Sequence, residues 1–289
     1  HLTKKKKKVV ITSRFKKKKI QKKLFKIDQL NIYNKKKIES ILRKYKPSYV
    51  FYFAGQSSPK ISFKRKKDTI KSNYLGCKNV LEAIFKVDKN ISFFNAASSE
   101  MFGHLTEKIN VDSPKNPINP YGFAKLKSFN ITKSYRERYK LKAYNAIFFN
   151  TESHLRKKSF FIPKVCFAAI NAYKKGIKTN FGNINIYREW NWCEDQCELL
   201  IKFMKKKPQD FILSNGKCLS AKKIIQYAFE YFKLDYKEYI LINKKYFRPS
   251  EVKIKKSNYL ISLTRNKISK KNFVYGRKMI NKLIENYLK

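Results

Sequence analysis

Residues 91–103, ISFFNAASSEMFG, and 119–125, NPYGFAK, decide how this chain reads. Positions 91–97 form a short apolar run that ends in small polar residues and a carboxylate, the pattern of a buried strand. A proline-rich loop over 112–120 comes next, and a helix is expected from about 122 to 139. Tyr121 and Lys125 stand at i, i+4 at the start of that helix, so both side chains share one face. In open parallel sheets, ligands sit beyond the carboxyl ends of the strands. Ser98, Ser99 and Glu100 occupy that position here.

Outward from this segment, short apolar runs alternate with amphipathic helical stretches, the rhythm of a parallel sheet covered by helices. Strands are expected at 8–13 (KVVITS), 24–27 with Asp28 ending it, 49–54 (YVFYFA) and 143–150 (AYNAIFFN). Helical spacing marks 36–45 and 69–87, the latter with Ile70, Tyr74, Val80, Leu81 and Ile84 as its apolar face. Beyond about Thr151 the character is mixed. Helices are expected at 161–175, 194–204, 219–232 and the C-terminus, with strands near 180–181 and at 211–214. No internal repeat is visible. The expected class is α/β, a doubly wound parallel sheet followed by a smaller, interleaved α/β domain.

Charge points less clearly. The chain has 289 residues, 68 Lys+Arg against 20 Asp+Glu, and a formal net charge of +48. Such a balance reads either as nucleic-acid binding, through counterion release, or as a solvated surface written in a lysine-rich vocabulary. Basic residues run along the whole chain, densest at 4–8 and 16–19, and no zinc finger, RRM-type motif or homeodomain-like helix accompanies them. Either way, a surface this positive attracts anionic substrates. With 43% hydrophobic and 15% aromatic residues, the chain is not a disordered basic tail. No apolar run approaches the about 18 residues of a membrane span, and the opening HLTKKKKKVVITSRF lacks the apolar core of a secretory signal.

The five cysteines are odd in number and contain no C-x-x-C, which points to reduced thiols and a cytoplasmic location. Cys193 and Cys197 would share a helix face, but His1, His104 and His154 show no ligand spacing, so structural cysteines are favoured over a metal site. The 8 glycines include no G-x-G; the nearest pair, Gly176 and Gly182, is too far apart for a glycine-rich phosphate loop of the usual kind.

The Tyr–Lys pair has a bland reading, an aromatic beside a solvated lysine, and a chemical one. A free phenol with a pKa near 10 is a poor base at neutral pH. A neighbouring ammonium and a nicotinamide cation favour the phenolate and lower that value. Placed after a Ser-Ser-Glu strand end in a βαβ sheet, the chemical reading is preferred.

These features, with YFAGQSSPKISF (52–63), FFNTESHLR (148–156), FGNINIYREWNW (181–192) and FRPSEV (247–252), resemble the extended short-chain dehydrogenase/reductase family. Within it the likeness is greatest to the GDP-mannose 4,6-dehydratases and runs from 8–13 nearly to the C-terminus. Y-x-x-x-K alone indicates only the superfamily; the order of FFN-x-ES, RE-W and RP-x-E is more specific. The resemblance implies a Rossmann-like doubly wound sheet over 1–152, with 188–216 returning to it. It also implies a sugar-nucleotide-binding cap made of 153–187 and 217–289.

It implies a reaction as well: NADP-dependent dehydration of GDP-mannose to GDP-4-keto-6-deoxymannose. Ser98, Tyr121 and Lys125 match the catalytic triad, and Glu100 matches the carboxylate that removes the C5 proton as water leaves. On the cofactor side, Arg14 suits a 2′-phosphate and favours NADP, although it is also one more cation in a basic stretch. Asp28 matches the adenine contact, Ala54 the dinucleotide floor and Asn150 the nicotinamide end, together with Tyr121 and Lys125. For the substrate, Ser57, Glu152, Lys164, Arg188, Arg248 and Glu251 match positions that line the sugar or grip diphosphate and guanosine. A homo-oligomer is the family's habit. Departures are Ser99 where some related dehydratases carry an acidic residue, Thr151 for His, His154 for Pro and Asn191 for Gly.

The family opens with a strand and G-x-x-G-x-x-G, and residues 1–14 match the end of the next helix and the second strand. A fragment cut upstream of His1, binding NADP weakly, is therefore the expectation, with a degraded gene as its alternative. Two other functions stay open: a related NDP-sugar epimerase or reductase, and a basic, non-catalytic nucleic-acid-binding remnant of the fold.

Overall fold

A computed structural model describes residues 7–14, 25–106, 108–247, 251–269 and 272–289. Its first half runs β1 (Val10–Ser13), β2 (Lys26–Gln29), α1 (Lys35–Tyr45), β3 (Tyr49–Tyr52), α2 (Pro59–Lys64), α3 (Lys66–Ile70), α4 (Gly76–Val87), β4 (Ser92–Ser98), α5 (Pro120–Tyr139) and β5 (Ala143–Phe148). The second runs β6 (Thr151–Glu152), α6 (Phe161–Lys175), β7 (Thr179–Phe181), β8 (Tyr187–Glu189), β9 (Asn191–Trp192), α7 (Cys193–Met204), β10 (Asp210–Leu213) and β11 (Cys218–Ser220). It finishes with α8 (Ala221–Glu230), α9 (Tyr236–Tyr239), β12 (Ile240–Ile242), β13 (Ile254–Lys255), α10 (Tyr259–Arg265) and α11 (Gly276–Leu288). The chain is α/β, built on parallel pairings.

Two compact units result. The first comprises His1–Met101, Lys115–Ile147 and Met204–Phe211. In it β1 and β2 pair in parallel, from Val10 opposite Lys26 to Ser13 opposite Gln29. A further sheet has the order β10-β5-β4-β3, with β3 and β4 parallel and Tyr49 opposite Ser92. The apolar stripes of α1 (Ile38, Ile41, Leu42) and α4 (Val80, Leu81, Ile84) bury against Phe93 and Ala143. Each such side chain contributes about 1.5–3 kcal/mol on burial. Helix α1 starts where Asn34 accepts from the Lys37 amide at 2.9 Å, and it stops at Lys46, which turns left-handed at φ 41°.

The second unit comprises Phe102–Pro114, Phe148–Phe203 and Ile212–Lys289. Strand β8 is central between antiparallel β11 and parallel β13, while β6–β9 and β7–β12 form parallel pairs. Helices α6, α8 and α11 close over a core that includes Ile162, Val165, Ile224, Phe229, Met279 and Leu283. Glu189, at the end of β8, is 1% exposed. Its carboxylate accepts from the Ser257 amide (2.6 Å) and hydroxyl (2.8 Å), the Gly216 amide (3.2 Å) and the Ser214 hydroxyl. Burial pushes its pKa up and those hydrogen bonds oppose the rise.

Several boundaries differ from the sequence expectation. The strand expected at 24–27 is Lys26–Gln29 and runs through Asp28; residue 24, like the basic run 16–19, lies outside the described residues. The strand expected to 97 extends to Ser98. The stretch 69–87 is not one helix: a π-helical turn, Lys71–Leu75, separates α3 from α4. There the Asn73 side-chain amide donates to the carbonyls of Thr69 (2.9 Å) and Gln56 (3.0 Å), and Ser72 Oγ donates to Asp68 O (2.7 Å). Side chains thus take carbonyls that the α ladder would use. The helix expected at 219–232 begins at Ala221, because 218–220 pair with β8 and Ser220 then caps the helix.

Candidate active site

In the first unit, the carboxyl end of β4 and the first turns of α5 meet at Ser98, Glu100, Tyr121 and Lys125. Ser98 ends the strand, 8% exposed, and its Oγ accepts from the Glu100 amide at 3.2 Å. That bond turns the chain into the 3-10 segment Ser99–Phe102, which carries the Glu100 carboxyl. Asn119 is the cap of α5: its Oδ1 accepts from the Gly122 amide at 2.8 Å. Its Nδ2 donates to Glu100 Oε2 at 2.8 Å. One side chain therefore fixes both the helix start and the carboxylate. Pro120 at the first helical position needs no amide partner, which is why α5 begins before the expected residue 122.

Gly122 allows the close fit, since a Cβ there would lie 2.4 Å from the Glu100 carbonyl oxygen. Tyr121 and Lys125 come next on one face, the Lys125 ammonium 5.7 Å from the Tyr121 ring centre. Lys125 is 6% exposed and donates to Ala96 O at 2.8 Å, so the strand backbone holds it. Burial lowers its pKa to about 8, with the nearby Cys77 opposing. A buried lysine with a lowered pKa beside a phenol is a pairing characteristic of functional sites.

The other residues expected in the first unit lie at neighbouring strand ends. Arg14 is exposed just after β1, and its carbonyl accepts from Gln29 Nε2 at 3.1 Å. Asp28, on β2, accepts from Lys44 (3.3 Å) and Tyr45 (3.2 Å). Partial burial raises its pKa, but the two hydrogen bonds and the Lys44 charge outweigh that and hold it below the usual range. Ala54 and Ser57 come after β3, on either side of Gly55, where the φ of +125° and the 2.7 Å that would separate an added Cβ from Asn73 Oδ1 exclude a side chain. The exposed Arg14 after β1, the Gly55 turn after β3 and the buried Lys125 on α5 are the groups of this unit that could hold a dinucleotide.

In the second unit, Asn150 O accepts from the Asn191 backbone (2.8 Å) and side chain (3.0 Å), bringing β9 beside β6. Glu152 is 2% exposed and paired with Arg156 at 2.8 Å, while its Oε2 has no hydrogen-bond partner. Burial raises its pKa to about 7 despite that arginine. Lys164, on α6, donates to Asn180 O at 2.5 Å and lies over the rings of Phe181 and Tyr246. Arg188, on β8, donates to the carbonyls of Tyr187 (2.7 Å) and Lys253 (3.3 Å). Glu251 is part-buried before β13, and Arg248 lies outside the described residues.

Sequence reasoning passed over Asn119, Arg156 and Glu189. An Asn directly before Pro at a helix start, and an acid–base pair at i, i+4, were the available signals for the first two. Among the described residues no group of at least three His, Cys, Asp or Glu side chains could hold a metal ion. No helix among them is long and apolar enough to cross a membrane.

Comparison with known proteins bears on the family and the fold. A GDP-mannose 4,6-dehydratase from Arabidopsis thaliana is 33% identical over 214 residues, covering 72% of this chain and 59% of the relative. The chain thus spans about 59% of the length of that curated relative. Among solved structures, a Thermus thermophilus UDP-glucose 4-epimerase in complex with NAD superposes with TM-score 0.84 at 17% identity, over 98% of this chain and 93% of that one. A Bacillus anthracis dTDP-glucose 4,6-dehydratase in complex with NAD gives 0.83 at 16%, over 97% and 88%. These last two establish a shared Rossmann-like fold. The sequence model of the GDP-mannose 4,6 dehydratase family matches residues 1–263, and the chain belongs to that family.

Proposed function

We propose that this chain catalyses NADP-dependent dehydration of GDP-mannose to GDP-4-keto-6-deoxymannose. The carrying observation is the joining of Ser98, Glu100, Tyr121 and Lys125 in one unit, with Asn119 linking the helix start to the carboxylate. Tyr121 takes the proton of the sugar 4-hydroxyl, assisted by the Lys125 ammonium on the same helix face. Ser98 hydrogen-bonds the same oxygen. A bound nicotinamide cofactor supplies a reversible two-electron acceptor. The 4-ketone acidifies C5–H, and Glu100, steadied by Asn119, removes that proton as the C6 hydroxyl departs as water. With Ser99 in place of a second acid, Glu100 or a water protonates that leaving group. C6 would then recover the hydride that left C4, and C5 would take up a proton equivalent to the one given up by the 4-hydroxyl, so the reaction has no net redox change.

In this reading NADP is held through Arg14, Asp28, Ala54, Tyr121, Lys125 and Asn150, and the sugar nucleotide through Ser57, Glu152, Lys164, Arg188, Arg248 and Glu251. A homo-oligomer is part of the proposal, supported by the exposed Ile61, Phe63 and Phe123 on α2 and α5. So is a reducing cytoplasmic setting, supported by five free cysteines. The test is Glu100→Gln, offered GDP-mannose and NADP and followed by NMR of the sugar. With NADP in large excess, to offset the weak binding expected of this chain, the native chain is expected to form the 4-keto-6-deoxy product, and the variant to oxidise C4 without losing water. No product from the native chain, or elimination that persists in the variant, overturns the assignment.

A further inference from the structure

Cys193 and Cys197 have no part in the site above. They open α7 in the second unit, and both are partly exposed, whereas Cys77 and Cys166 are buried in the cores. Their i, i+4 spacing puts the two Cβ atoms about 5–6 Å apart on one helix face. The Cys197 thiol hydrogen-bonds the Cys193 sulfur. That bond is the largest influence on Cys193; it outweighs burial and the neighbouring Glu194 carboxylate and brings the Cys193 pKa to about 7. The same bond, with burial, pushes Cys197 up. The result is two partly exposed thiols on one turn of helix, Cys193 the more acidic of the two.

Geometry decides what such a pair can hold. A disulfide needs Cβ atoms about 3.8 Å apart, closer than the helix allows without unwinding its first turn. A single soft atom bonded to both sulfurs adds two bonds of about 2.3 Å, the length of a metal–thiolate bond, and spans the gap on an intact helix. We propose that Cys193 and Cys197 form a clip for a thiophilic bridging centre, the chemical class being a monosubstituted trivalent arsenical. In the capture step a dihydroxyarsine loses both As–O bonds and gains two As–S bonds. Each departing hydroxide leaves as water with one thiol proton, and arsenic stays trivalent, so no oxidant or reductant is needed.

Phenylarsine oxide tests this on the chain as it stands. The expected result is one phenylarsenic group per chain, two of the five thiols consumed, and release by an excess of dithiol but not of monothiol. Chelation raises affinity through effective concentration, so Cys193→Ser or Cys197→Ser is expected to weaken capture about 100-fold or more. Cys218→Ser leaves it unchanged. Peptide mapping of the native adduct locates the arsenic independently of how any variant folds. An adduct elsewhere, equal capture by the Cys193→Ser/Cys197→Ser double variant, or no capture by the native chain overturns the proposal.

Discussion

Lys125 places a functional charge where folding disfavours it, and that conflict can be measured. Burial takes its pKa from the ordinary 10.5 to about 8. A displacement of this size is worth about 3 kcal/mol. Below pH 8 the lysine is charged in both states and the folded state bears the desolvation. Between pH 8 and 10.5 the folded state sheds a proton that the unfolded chain keeps, so native stability rises with pH. Above 10.5 both are neutral and the gain is complete. Lys125→Met removes the charge at similar volume but leaves Ala96 O without its 2.8 Å donor, a cost of about 1–3 kcal/mol. At pH 7 these effects partly cancel, so the variant is expected near native stability or slightly above it. The informative quantity is the native-minus-variant difference, which should grow by about 3 kcal/mol in favour of the native chain from pH 7 to 10.5. All other lysines titrate alike in both proteins and drop out. Urea unfolding should be followed by far-UV circular dichroism, because both tryptophans, Trp190 and Trp192, lie in the second unit and do not report on Lys125. A difference that stays flat across this window would show that the buried-lysine reasoning is wrong.

Gly122→Ala drives a Cβ to 2.4 Å from Glu100 O and should cost about 1–3 kcal/mol in the same unfolding assay; a neutral effect would mean that the α5 entry is loosely packed. Asn119→Ala should lose about 1 kcal/mol of capping. Asn119→Ser keeps a cap but cannot reach Glu100, so stability should stay close to native while the Glu100 side chain, followed by carbon NMR relaxation, gains mobility. Glu152 runs opposite to the usual carboxylate, because its folded pKa is raised from 4.5 to about 7. Its favourable neutral form is intact below 4.5 and lost as pH rises through 7, so Glu152→Gln should gain about 3 kcal/mol on the native chain over that interval in urea titrations. No pH trend in that difference would place a water or cation on the unpartnered Oε2.

What the sequence disclosed divides by range of interaction. Helix α6 was readable to the residue, because its apolar periodicity and the left-handed Gly176 that ends it are local. Ser98, Tyr121 and Lys125 were readable for the same reason, as a strand end and an i, i+4 pair carry their geometry within a few residues. The π-helical turn after α3 was not readable, because its cause is Asn73 reaching Gln56, distant in sequence. Strands β6, β8, β9 and β13 are too short to show any period. Glu189 looked like one letter of RE-W, yet its partners Ser214 and Ser257 lie far along the chain, and only folding brings them to one carboxylate.

The same distinction bears on the charge of +48. If basic composition reflected a polyanion site, acids would be excluded from one face and basic side chains would converge there. Several acids instead stand where a lysine could not replace them. Glu152 and Glu189 are buried and accept hydrogen bonds. Asp195 accepts from the Val274 amide at 2.7 Å. Asp210 holds Arg136 at 2.7 Å and Asn145 at 2.9 Å, and Glu100 holds Asn119. Each of these roles requires an acceptor, and a lysine ammonium offers only donors. On exposed helix faces no such requirement operates, and salt screens like charges beyond about 8 Å. A mutational drift toward lysine would therefore fill the surface and stop at these acceptors. That pattern makes the acids, rather than the far more numerous bases, the charged residues whose positions carry structural and chemical information.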